Sequence, residues 1–262
     1  MTPTQIEIAA KAIWQNLSHG TRMAALPENA VPSNRADGYA VQQALIRVSS
    51  HNRYGWKIAA TSSAGQKHIG VDGPIAGMLL RERVLAPATP IPLTGIGMRV
   101  AEAEFAFRMA RDLTPRTTPY TISEVMTAVE GLYPAIEIPD SRFENYTQVG
   151  AAQLIADNAC GSLFVLGEKT SADWRAIDLA RHKVEALRNG TLAEEGSGAN
   201  VLGDPRIALT WLANELNAFG LSLRSGDVIT TGTCVVPLAI ASGDKVTADF
   251  GVLGALSVTF CD

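Results

Sequence analysis

Glu102 and Glu104 stand two residues apart in Arg99-Val100-Ala101-Glu102-Ala103-Glu104-Phe105-Ala106-Phe107, a run that alternates with period two. Such alternation predicts a β-strand with Ala101, Ala103, Phe105 and Phe107 on one face and both carboxylates on the other. Residues i and i+2 of a strand lie about 7 Å apart, close enough for two acidic side chains to converge on one cation. The same pattern also describes a strand whose acidic face is simply wetted. A third isolated acid, Glu137, lies in a second strand-like run, Tyr133-Pro134-Ala135-Ile136-Glu137-Ile138-Pro139, and tilts the choice toward a metal site. Unpaired carboxylates are costly to bury. Three of them without a nearby His or Cys suit a hard ion, Mg²⁺ or Mn²⁺, better than zinc. Lys57 interrupts the apolar run Gly55-Trp56-Lys57-Ile58-Ala59-Ala60. A lysine in such a strand either extends its ammonium to solvent or is held for chemistry.

Helices are predicted ahead of these strands, over Thr4 to Leu17 and about Ala36 to Ser50, with Pro27, Pro32 and Asn34 marking the loop between them. They make a helical N-terminal subdomain, 1–52, in front of a β-rich catalytic domain, 53–262. Glycine and proline punctuate Asp72-Gly73-Pro74-Ile75-Ala76-Gly77 so densely that a loop is expected, with short strands at Met78 to Leu80 and Val84 to Ala86. Thr121-Ile122-Ser123-Glu124 has capping-box form and opens a helix to about Glu130. Asp140 and Arg142, after the Glu137 strand, read as a turn and an ion pair, and Gln148 to Cys160 as a helix. Asn189-Gly190 signals a type I′ hairpin. Asp204-Pro205 starts a helix that places Leu209, Leu212, Leu216 and Phe219 inward and ends at Gly220. Strands outnumber helices after residue 52. The expected fold class is therefore α+β, with the N-terminal helices packed on a rolled, mostly antiparallel β core.

The chain has 262 residues, 47% hydrophobic and 18% charged, enough for a substantial core. A net charge of −4 and the lack of a basic, aromatic stripe argue against nucleic acid as a partner. No apolar run approaches the roughly 20 residues that span a bilayer, so no membrane partner is expected. Glu7 and Lys11 replace a signal peptide's apolar stretch, and Cys160, Cys234 and Cys261 are not in CxxC spacing. Reduced thiols in a cytoplasmic protein are expected. Nucleotide-binding glycine loops and a GxSxG elbow are absent. None of His19, His51, His68 and His182 has metal-ligand spacing; His68, near the Lys57 segment, is expected at the surface.

Taken in order, Gly55-Trp56-Lys57-Ile58, Ala101-Glu102-Ala103-Glu104 and Ile136-Glu137-Ile138-Pro139-Asp140-Ser141-Arg142 resemble the fumarylacetoacetate hydrolase superfamily. Ala156-Asp157-Asn158-Ala159, Gly198-Ala199-Asn200-Val201-Leu202-Gly203, Gly226-Asp227-Val228-Ile229 and Gly243-Asp244-Lys245-Val246 resemble its branch of 2-keto-4-pentenoate (2-hydroxypentadienoate) hydratases and 4-oxalocrotonate decarboxylases. The resemblance covers nearly the whole chain. It implies Mg²⁺ or Mn²⁺ on Glu102, Glu104 and Glu137, chelating a small 2-oxo acid substrate and stabilising its enolate. It implies Lys57 as a proton shuttle if burial lowers its pKa, and Thr233 as a hydroxyl aimed at the substrate carboxylate. The implied activity is a lyase reaction of aromatic hydrocarbon catabolism: hydration of 2-hydroxypenta-2,4-dienoate or an analogue through the metal-bound enolate, by a homo-oligomer. Decarboxylation of a 2-oxo dioate and service as a non-catalytic partner subunit are the alternatives. One position departs from the pattern. Where hydratases of the family carry a loop aspartate, this chain has Ile75, leaving Asp72 as either a substitute acid or a turn former.

Overall fold

Thr2 and Gln5 cap the first helix reciprocally, and Pro3 occupies its first position, so the chain opens on a well-stopped α1 (Pro3–His19) that ends at Gly20 with φ 64°. Ala9, Ala10, Ile13 and Leu17 are its buried residues. A second helix, α2 (Arg35–Ser49), packs on α1. The computed structural model describes residues 1–49 and 52–262; Ser50, the expected end of the second helix, and His51 lie outside the described residues. Four further helices are α3 (Ser63–Ile69), α4 (Ile122–Thr127), α5 (Gly150–Ala156) and α6 (Pro205–Ala218). Gln42 ties α2 to the rest, its Nε2 donating to Ala76 O at 2.8 Å and Ile155 O at 2.9 Å.

The strands are β1 (Arg53–Ala59), β2 (Ile75–Leu80), β3 (Val84–Leu85), β4 (Ile91–Pro92), β5 (Val100–Met109), β6 (Val129–Ile138) and β7 (Leu163–Leu166). Then come β8 (Lys183–Arg188), β9 (Thr191–Ser197), β10 (Val228–Thr233), β11 (Leu238–Ala239), β12 (Lys245–Asp249) and β13 (Ala255–Cys261). One sheet runs β2-β1-β10-β5-β6-β7-β3, with β11 also on β5; the second runs β4-β13-β12-β8-β9. Among the strands of the described residues, only β1/β10, β3/β7 and β4/β13 pair in parallel, so the β core is mostly antiparallel as expected.

The larger sheet curls. Leu79, Val228, Ala106, Tyr133, Ala135 and Phe164 come from strands β2, β10, β5, β6 and β7, yet form one apolar cluster. A flat sheet would spread those strands over roughly 24 Å at about 4.8 Å per step. Its other face joins the main core; there Phe105 stacks edge-on against Phe250, centroids 4.9 Å apart, and Phe107 against Trp174 at 5.6 Å. The alternation in β5 thus separates two cores: Ala101, Ala103, Phe105 and Phe107 face the large one, while Ala106, two residues beyond Glu104, faces the small one.

Local expectations fail in three places, each for a tertiary reason. β2 begins at Ile75 rather than Met78, because Ile75, Ala76 and Gly77 pair with Ala59, Ile58 and Lys57. The helix after Thr121 stops at Thr127, and β6 claims the chain from Val129. The helix expected to reach Cys160 stops at Ala156, and Asn158, Ala159 and Cys160 take positive φ of 57°, 49° and 58°. Asn158 explains the stop. Its Oδ1 accepts from Met78 N at 2.6 Å and its Nδ2 donates to Met78 O at 2.8 Å, so the amide pairs with the free edge of β2 like a short strand. The turn sits so close that a Cβ on Gly77 would lie 2.2 Å from Asn158 O. Gly77→Ala should therefore destabilise the protein by about 1–3 kcal/mol through overpacking, read as a lowered urea midpoint at unchanged slope.

Candidate active site

Strand register, not sequence proximity, assembles the charged cluster. Glu102 on β5 stands opposite Glu137 on β6, and Glu104 opposite Ala135. Lys57 on β1 stands opposite Thr230 on β10, which in turn faces Ala106 on β5. All these side chains share the inner face of the curl. Carboxylate oxygens of Glu102, Glu104 and Glu137 come within 4.8 Å of one another. Glu104 and Glu137 are fully buried, whereas Glu102 keeps partial exposure, so the site opens to solvent on the Glu102 side.

Lys57 is 2% exposed, which rules out an extended surface lysine. Its Nζ lies 2.9 Å from Glu137 Oε2 and donates to Ala159 O at 3.1 Å. Burial alone would lower its pKa, but Glu137, Glu102 and Glu104 outweigh that effect and raise it, so Lys57 rests as an ammonium. The condition attached to a proton-shuttling Lys57, a pKa lowered by burial, is therefore not met in the metal-free protein. The carboxylates move the other way. Burial, offset in part by Lys57, pushes Glu102 and Glu104 up to about 7 and Glu137 to about 8.

Glu104 is anchored by one oxygen only. Thr230 Oγ1 and the amide of Gly232, at 2.7 Å, both donate to its Oε2. The register between β10 and β5 shifts between Thr230 and Thr233, a bulge that turns the Gly232 N–H inward at φ 103°. Glu104 Oε1 and Glu137 Oε1 are buried without any hydrogen bond. Buried carboxylate oxygens ordinarily find partners. Three acids against one ammonium, all presenting oxygen, make a donor set that fits a hard divalent cation.

Arg142 and Asp157 secure the wall behind Lys57. The expected Asp140–Arg142 ion pair does not form. Arg142 instead pairs through Nε with Asp157, and donates through Nη1 to the carbonyls of Asp140 and Gly161. The Asp140 carboxylate takes both oxygens to Arg22 and accepts the amides of Gly97 and Met98. Arg142 thereby grips both flanks of the left-handed turn whose carbonyl receives the Lys57 proton.

Two expected site residues lie outside this cluster. The Asp72 side chain is 85% exposed and pairs with Arg35 at 3.2 Å. Thr233 stands opposite Glu104 in the ladder, but its hydroxyl donates to Val235 O at 2.7 Å. His68 is at the surface beside the Tyr146 hydroxyl, and no cysteine is bonded to another. Thr230 was not singled out by sequence reasoning, and Asn158 and Ala159 entered it only as part of a resembling motif, not as the turn that meets Lys57. A threonine in a β-rich stretch carries no signal until the register is known, and the Asn-Ala motif does not by itself say which strand it meets.

The model of the fumarylacetoacetate hydrolase C-terminal family matches residues 58–261. The chain belongs to this family. Over 263 aligned residues it is 34% identical to 2-keto-4-pentenoate hydratase of Paraburkholderia xenovorans (strain LB400), covering 99% of this chain and 96% of that protein. It is 30% identical to 2-hydroxyhexa-2,4-dienoate hydratase of Comamonas testosteroni, covering 98% of each. Among solved structures, 4-oxalocrotonate decarboxylase from Pseudomonas putida G7, complexed with magnesium and adipate, superposes with a TM-score of 0.88 at 26% identity. That match covers 99% of this chain and 98% of the decarboxylase. The same decarboxylase has also been crystallised with calcium and acetate.

Removing Arg142 tests the wall. Arg142→Met leaves the Asp157 carboxylate buried without its charge partner and should cost about 3–5 kcal/mol. Chemical denaturation should show it, and a loss below 1 kcal/mol would mean that the pair is dispensable.

Proposed function

We propose that this chain is a divalent-metal-dependent lyase that hydrates 2-hydroxypenta-2,4-dienoate (2-keto-4-pentenoate) or a close analogue. The observation that carries the reading is the pair of unsatisfied buried oxygens, Glu104 Oε1 and Glu137 Oε1, gathered with Glu102 beside a buried ammonium. Full-length similarity to proteins named as hydratases supports the reaction class. Glu102, Glu104 and Glu137 would hold Mg²⁺ or Mn²⁺. A bound ion supplies Lewis acidity to the carboxylate and 2-oxo oxygens of the substrate.

The protein's own part is to hold and move one proton. Lys57 Nζ holds that proton, kept on it by Glu137 and steered by Ala159 O. Delivery of a proton to C5 of the dienoate, with the 2-hydroxyl proton returning to Nζ, gives 2-oxopent-3-enoate. Water then adds at C4 and a proton at C3, giving 4-hydroxy-2-oxopentanoate. The same proposal has the enzyme working in the cytoplasm as a homo-oligomer on a small-molecule substrate.

A second reading, decarboxylation of a 2-oxo dioate, is favoured by one observation. Asp72, the candidate acid for the water step, is turned to solvent beside Arg35, and Ile75 is fully buried. Ultraviolet assay of 2-hydroxypenta-2,4-dienoate consumption, set beside carbon dioxide release from 2-oxo dioates, decides between the two. Carbon dioxide release without hydration would select the decarboxylase.

Lys57→Ala should lower kcat by about 10²–10⁴-fold while calorimetric Mg²⁺ affinity stays close to wild type, whereas Glu102→Gln should weaken Mg²⁺ binding itself. Unchanged turnover in Lys57→Ala would remove the proton-transfer role.

The carboxylates also predict a pH signature. In the metal-free protein they keep protons that the unfolded chain releases near 4.5, so their stabilising contribution is complete below that pH. It is lost as pH rises through about 7 to 8. Because Mg²⁺ needs the ionised forms, the rise in Tm on adding Mg²⁺ should be larger at pH 8.5 than at pH 6. Equal rises at both would contradict the assignment of these three ligands.

A further inference from the structure

We propose that Thr230 is a positioning residue that restricts Glu104 to one-oxygen ligation and thereby biases the site toward a small divalent ion over calcium. The inference rests on the metal reading of the carboxylate cluster given above. Thr230 is fully buried on β10, and its hydroxyl donates to Glu104 Oε2. The Gly232 amide donates to the same oxygen at 2.7 Å. A carboxylate oxygen has two lone-pair directions, so two donors on Oε2 leave it nothing to offer an ion. Oε1 has no hydrogen bond and keeps its full capacity.

Both donors are fixed by the strand that carries them. Thr231 Oγ1 donates to Phe105 O at 3.0 Å, fastening β10 to β5 one residue from Thr230. Gly232 cannot carry a side chain without moving Thr61, whose Oγ1 would lie 2.3 Å from a Cβ there. Its φ of 103° belongs to the region that favours glycine. The bulge therefore presents the amide and the hydroxyl to one oxygen as a unit.

The two ions respond differently to such a constraint. Mg²⁺ takes six near-octahedral ligands at about 2.0–2.1 Å and is served by single carboxylate oxygens. Ca²⁺ takes six to eight ligands at about 2.3–2.6 Å and readily uses both oxygens of one carboxylate. Removing the Thr230 hydroxyl frees a lone pair on Oε2 and lets Glu104 turn toward two-oxygen ligation. That change loses orientation for Mg²⁺ and gains a ligand for Ca²⁺.

Calorimetric titration of the metal-free, full-length protein with MgCl₂ and, separately, CaCl₂ tests this without any substrate. Thr230→Val should weaken Mg²⁺ by about 10–100-fold, the usual effect of removing a group that orients a ligand, and weaken Ca²⁺ clearly less, so that the Mg²⁺/Ca²⁺ affinity ratio falls. Thr230→Ser, which restores the hydroxyl, should return the ratio to the wild-type value. Thr230→Ala is read in the same way as the valine variant, so the outcome does not hang on one substitution folding. An unchanged ratio in both hydroxyl-free variants, whether both affinities fall together or neither falls, would overturn the proposal and leave Thr230 a purely structural residue. Failure of the underlying metal reading looks different: wild type would bind neither ion, or Glu102→Gln would bind as tightly as wild type.

Discussion

The charged cluster on the inner face of the curled sheet is the constraint that organises the surrounding structure. Carboxylates removed from water repel one another, and burial raises the free energy of their ionised forms. The fold tolerates them because Lys57 lies 2.9 Å from Glu137, while Thr230 and Gly232 satisfy one oxygen of Glu104. Each arrangement depends on register. A one-residue slip of β5 against β6 would turn Glu102 and Glu104 into the apolar core and bring Ala103 and Phe105 to the inner face. The large core, closed by Phe105 on Phe250 and Phe107 on Trp174, therefore holds the site in place from behind.

A second layer of support lies in the turn after α5. Three successive non-glycine residues at positive φ cost free energy that the surroundings must offset. Asn158 offsets part of it by pairing with the open edge of β2, and Arg142 by donating to the carbonyls of Asp157 and Gly161 on either side. The result is a carbonyl, that of Ala159, aimed at the Lys57 ammonium. The glycine at position 77 belongs to the same device, since any larger residue would push the turn away from β2. Backbone strain and a buried ion pair thus serve one end, the orientation of a single Nζ.

What was legible in the sequence follows the range of the interactions concerned. Period-two alternation around Glu102, the capping box at Thr121, the Asp204 cap and the Asn189-Gly190 turn are local, and all appear in the structure. The convergence of Glu137 on Glu102 was legible as chemistry, three isolated acids wanting one cation, although not as register. The pairing of Arg142 was not legible, because Asp140, two residues away, is the obvious local partner, and Asp157 wins only through the fold. Nor was the turn at Asn158, since a helix pattern persists to Cys160 and the competing bonds come from Met78 on another strand. The start of β2 was hidden by the same glycines and proline that elsewhere mark loops. At Gly77 the small residue serves close approach rather than a turn.

The direction of the Lys57 shift has consequences for how chemistry can begin. A lysine depressed by burial would wait as a neutral amine and act first as a base. In the metal-free protein the carboxylates outweigh burial and raise the lysine's pKa, so the group is an ammonium there. A dienol substrate asks for an acid first, because conversion of the 2-hydroxydiene to its 2-oxo form starts with protonation of the terminal carbon. With Asp72 exposed beside Arg35 and Ile75 buried in β2, the Lys57 ammonium is a cationic group buried within the cluster. Proton delivery to carbon is required by hydration and by decarboxylation of a 2-oxo acid alike, so a buried ammonium beside the three acids is compatible with either reaction.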